Sequence, residues 1–140
     1  MIFGGDRDEL RAMYVQSWAK HRDRQPLSPL EAQIARIIEE HPEFHAALGE
    51  PVDKEYTVEA GEANPFLHMG LHLGVREQVA TDRPAGIAAV HGRLAVKAGG
   101  PHAAEHRMID VLAETLWEAQ RRNTAPDENH YLERLRRLLG

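Results

Sequence analysis

Apolar residues recur at three- and four-residue intervals along nearly the whole chain, and prolines and glycines cut that rhythm into helix-sized pieces. This pattern constrains the fold more than any other feature, because it suits a helix that buries one stripe and leaves no room for alternating strands. The spacing predicts a first helix from Asp6 to about His21, with Leu10, Met13, Tyr14, Ser17 and Trp18 on one face. "SPLE" then supplies Ser28 as N-cap, Pro29 in the first turn and Glu31 to close a capping box. The helix it opens carries Leu30, Ile34, Ile37 and Ile38, and Pro42 must break it, since proline lacks the N–H and clashes with the preceding turn. A short helical turn through "EFHAAL" is expected to end near Gly49.

Asn64–Pro65 reads as the cap and first turn of a third helix reaching Thr81. A fourth is expected from Pro84, with Ile87, Val90, His91 and Leu94, stopping at Gly99–Gly100. A fifth should run from about Pro101 to Arg122, and a sixth from near Pro126 with Tyr131, Leu132, Leu135, Leu138 and Leu139. Between the second and third lies a long irregular connection, residues 50 to 64, of a length that is uncommon and often functional. Val52, Tyr56 and Val58 are its expected anchors onto the body. The expectation is an all-α, compact single-domain bundle of about six helices spanning 1–140, a length that one core can serve.

Composition excludes several classes of function. With no cysteine there are no disulfides, thiolate ligands or cysteine nucleophiles. A net charge of −5 argues against a general nucleic-acid binder, which should be basic. Arg134, Arg136 and Arg137 make the last helix locally basic, which reads most simply as a solvated face. No run of 18 apolar residues suggests a membrane span, and the start "MIFGGDRDEL" lacks the basic flank and apolar run of a secretory signal. A cytoplasmic location is the default expectation. The final leucines fit either a cover over the end of the bundle or the seam of a homodimer.

Nine histidines are unusual in their placement. Random positions would give about half of one pair four apart, the spacing that stacks two side chains on one helix face. The chain has three: "HPEFH" (41 to 45), "HMGLH" (68 to 72) and "HAAEH" (102 to 106). Pro42 interrupts the first. On the fifth helix, turning about 100° per residue, His102, Glu105 and His106 fall within the arc of Ile109, Leu112, Ala113, Leu116 and Trp117. Both histidines and the glutamate are therefore expected to face the core, and a buried carboxylate must be paired, protonated or bound to a cation. Trp18 and Trp117 read as core aromatics. The third helix is apolar nearly all round, which places it centrally. His68 and His72 lie on the side of Val75 and Val79, while Gly70 and Gly74 permit a neighbour to approach.

If the third and fifth helices face each other, His68, His72, His102 and His106 converge with Glu105 as ligand or base. Neutral imidazole suits a divalent ion such as Zn, Fe or Ni. The alternative is a non-catalytic interaction or structural protein whose histidines are satisfied core residues and hold no metal.

Other chemistries fit less well. "HAAEH" matches the H-x-x-E-H of inverted zincins, but their downstream glutamate ligand has little chain left to come from. The Glu-x-x-His motifs of di-iron bundles are missing from the predicted helices. There is no glycine-rich phosphate loop and no G-x-S-x-G elbow, and Ser17 and Ser28 are the only serines.

Two resemblances bear on the site. "FLHMGLHLGV" and "HAAEHRMIDVL" are similar to the histidine segments of DinB-like helical bundles, which hold a metal with one mid-chain histidine and a later HxxxH. That likeness implies His72 with His102 and His106, although the two segments are closer together here. Across nearly the whole chain, "MYVQSWAKHRDRQPLSPLEAQIARIIEEHPEFH", "NPFLHMGLHLGVREQVATDRPAGI" and "HRMIDVLAETLWEAQRR" resemble the bacterial family known as domain of unknown function 1841. The resemblance implies a small helical bacterial protein and assigns no catalytic residue.

Overall fold

The computed structural model describes residues 5–51 and 64–140. Among the described residues six α-helices follow in chain order: α1 (Gly5–Arg22), α2 (Pro29–Glu39), α3 (Pro65–Thr81), α4 (Ile87–Ala98), α5 (Pro101–Arg122) and α6 (Glu128–Arg137). A 3-10 helix, Pro42–Gly49, stands between α2 and α3. No strand occurs among the described residues, and no described helix is long and apolar enough to cross a membrane. The expected anchors Val52, Tyr56 and Val58 lie outside the described residues. Contacts divide the chain into two compact units, Met1–Gly70 and Leu71–Gly140.

In the first unit the capping box forms as the sequence dictates. Ser28 Oγ accepts from the Glu31 amide at 3.2 Å, and Glu31 Oε1 accepts from the Ser28 amide at 2.8 Å. Glu31 also takes Lys20 Nζ at 2.8 Å, tying α2 to α1. The inner face of α2 is Ile34, Ala35, Ile37 and Ile38, all buried, and Tyr14, Ser17 and Leu48 join them in the interior. Pro42 ends the α-helical run, as expected, and the chain continues in the tighter 3-10 form rather than as a turn of α-helix. The interrupted histidine pair has a structural use here. His41 Nδ1 donates to the Ile37 carbonyl at 2.8 Å and His45 Nε2 to the Ile38 carbonyl at 2.9 Å. Carbonyls in the last turn of a helix lack partners within it, and these imidazoles supply them.

The second unit is built around Val75, Ile87, Val90, Leu94, Ala104, Met108, Ile109, Leu112, Tyr131, Leu132 and Leu135, with Leu138 and Leu139 packed against that core. Helix α4 starts at Ile87 rather than Pro84. Asp82 Oδ1 accepts from the Gly86 and Ala88 amides at 3.1 and 3.0 Å, so its capping side chain lies upstream of the proline. Gly99 ends α4 at φ 96°, a left-handed conformation that costs glycine least, and the chain re-enters a helix at Pro101. Helix α6 begins at Glu128, two residues after the expected start, because Asp127 rather than Pro126 sets the cap by accepting from the His130 amide at 3.0 Å.

One expectation about α5 is corrected. Its buried residues are Ala104, Glu105, Met108, Ile109, Leu112, Thr115 and Ala119. That face is rotated by roughly 80° from the expected arc, toward small residues that admit close packing. Trp117 is therefore 55% exposed rather than a core aromatic, with the Arg121 guanidinium 4.7 Å from its ring centroid, and Leu116 is also exposed.

Candidate metal centre

Helix α3 carries His72, which is 0% exposed. The start of α3 is fixed by Asn64, whose Oδ1 accepts from the Phe66 and Leu67 amides at 3.0 and 3.2 Å. Helix α5 brings His102 and His106, one turn apart, against the same imidazole. Ring centroids are 5.2 Å apart for His72 and His102, 4.7 Å for His72 and His106, and 4.4 Å for His102 and His106. The three belong to a histidine group whose potential ligand atoms all lie within 4.8 Å of one another. Facing of α3 and α5 was the condition for convergence, and His72 meets it. Leu112 of α5 likewise comes within 3.9 Å of where a Cβ on Gly74 would stand.

The rotation of α5 changes how the pair is presented. His102 and His106 were expected to face the core; the rotation leaves His102 half-buried at the margin of the buried face and His106 exposed beyond it. His68 stands outside the group. Its ring meets Phe44 edge-on at 5.4 Å and His41 at 5.2 Å, in the first unit.

Glu105 is buried, as its position on α5 required, and the structure gives its partners. Its Oε1 accepts from His72 Nδ1, and Arg76 Nε donates to Oε1 at 3.0 Å and Oε2 at 3.1 Å. Burial pushes this carboxyl's pKa up, but the His72 hydrogen bond and the Arg76 charge outweigh it and hold it below the usual carboxylate range. Arg76 is the member of this arrangement that sequence reasoning missed. The signal was available: it lies four residues after His72 and therefore on the same face of α3.

An all-α unit that gathers imidazoles from two helices and backs one with a buried carboxylate offers donors that could hold a transition-metal ion. The chain belongs to the family described as a domain of unknown function (DUF1841), whose model matches residues 6–137. No curated protein matches it significantly. No solved structure does either.

Proposed function

We propose that the second unit binds a divalent transition metal through His72, His102 and His106. The observation that carries this reading is the mutual distance of no more than 4.8 Å between the histidine ligand atoms. Nitrogens around a tetrahedral ion, each about 2.0–2.1 Å from it, are about 3.3 Å apart. Small side-chain rotations therefore separate the observed arrangement from a first coordination shell. Zn, Fe and Ni are the ions that three neutral imidazoles favour. Such a set leaves at least one position of a tetrahedral ion to a further donor.

Glu105 is not a ligand in this reading, since both of its oxygens already accept hydrogen bonds from His72 or Arg76. The test is elemental analysis of protein purified without an affinity tag, before and after incubation with Zn or Fe. Stoichiometric metal is expected, falling sharply in a variant with His72, His102 and His106 all changed to alanine. No metal in the wild-type protein, even after incubation, overturns the proposal.

A further inference from the structure

We propose that Glu105, anchored by Arg76, is the positioning residue of this centre, holding His72 with its hydrogen on Nδ1 and presenting Nε2 to the ion. This rests on the metal-binding reading and goes beyond it, because it assigns the ligand atom and gives work to two residues that touch no metal.

The argument begins with the imidazole. A neutral histidine carries its hydrogen on one of two nitrogens, and only the other can ligate. In a fully buried ring water does not set that choice, so the neighbours must. His72 is such a ring, and its Nδ1 meets Glu105 Oε1. An ionised carboxylate only accepts, so Nδ1 must donate, and ligation falls to Nε2.

Arg76 makes the carboxylate a dependable acceptor. Its Nε sits 3.0 and 3.1 Å from the two oxygens, which neutralises the buried charge and fixes the plane of the carboxylate. Were Glu105 to swing onto the ion, its hydrogen bonds with Arg76 and with the His72 Nδ1–H would be given up. Hydrogen bonds to charged groups in a buried site are costly to break, so the carboxylate stays behind the histidine. The helical register makes the arrangement economical. Glu105 lies three residues after His102 and directly before His106, so α5 supplies two ligands and the group that orients the ligand arriving from α3.

The test compares zinc affinity, by competition with a chromophoric chelator, in wild type, Glu105→Gln and Arg76→Met, alongside metal-free melting temperatures. Groups that hydrogen-bond to metal-bound histidines typically contribute about 10–100-fold in affinity. A loss of that size is expected in Glu105→Gln, with a smaller one in Arg76→Met. Long-range 1H–15N spectra of the zinc-loaded wild-type protein supply a readout that needs no variant and that a merely structural ion pair would not move. They should show His72 protonated at Nδ1 and metal-bound through Nε2. Binding through Nδ1, or zinc affinity in a folded Glu105→Gln equal to wild type, overturns the role of Glu105 and leaves metal binding standing. Wild-type protein that takes up no zinc overturns both.

Discussion

Tyr131 donates its hydroxyl hydrogen to Oε1 of Gln78 at 2.7 Å, joining α6 to α3 across 53 residues of chain. The ring is 3% exposed and belongs to the core of the second unit, so the hydroxyl is a polar tip that must be satisfied at the edge of an apolar body. Tyr131→Phe keeps the packing and deletes the bond. It should lower stability by about 0.5–1.5 kcal/mol, read from the urea midpoint at unchanged slope. Gln78→Leu should cost a similar amount, and the double variant less than the sum of the two.

Metal should stabilise the fold by mass action. Zinc at a hundredfold excess over its dissociation constant should add about 2.7 kcal/mol, provided that the unfolded chain does not compete for it. Melting with and without a chelator measures this. The shift should shrink in His72→Ala and in Glu105→Gln, and a Tyr131→Phe variant should retain it.

The observed face of α5 makes a sharp contrast between two large side chains. Met108 is 0% exposed, so Met108→Ala should cost about 2–5 kcal/mol through lost burial and a cavity. Trp117 is 55% exposed, and Trp117→Ala should stay within about 0.5 kcal/mol of wild type. Equal costs for the two would return α5 to the face drawn from the apolar pattern.

Alkaline pH should act on Tyr14. Burial raises its pKa from 10.0 to about 12. Below the unfolded value neither state is ionised and the contribution of the buried phenol is intact. Between that value and about 12 the unfolded chain releases a proton that the folded one keeps, so stability falls as pH rises. Tyr14→Phe should remove on the order of 2 kcal/mol of that fall, seen by comparing denaturation midpoints of the two proteins at neutral and strongly alkaline pH.

Helix boundaries were legible wherever a local device sets them. Ser28 with Glu31, Asn64 before Pro65, and the Gly99–Gly100 stop all act within a few residues and read directly from the sequence. Two starts were misplaced: that of α4, where Asp82 reaches past Pro84, and that of α6, where the cap is Asp127 and not the proline before it. The direction in which α5 faces was only half legible. Bulky apolar residues such as Leu116 and Trp117 pull a periodicity argument toward themselves, whereas Ala104, Thr115 and Ala119 are chosen by what fits against a neighbour. The same limit applied to the histidines. Spacing pairs His68 with His72, but the partners of each ring are set by tertiary packing, and only His72 meets the pair on α5.

The link between α4 and α5 is two residues long, Gly99 and Gly100. Closing so short a connection costs little chain entropy, and contacts between the two helices are local in sequence. Local contacts form early, because they need no distant segment to arrive first. The α4–α5 hairpin is therefore the natural nucleus of the second unit, and it already carries His102, Glu105 and His106. His72 comes from α3, so the cluster is expected to form in two stages: two imidazoles and a carboxylate first, and the buried imidazole last.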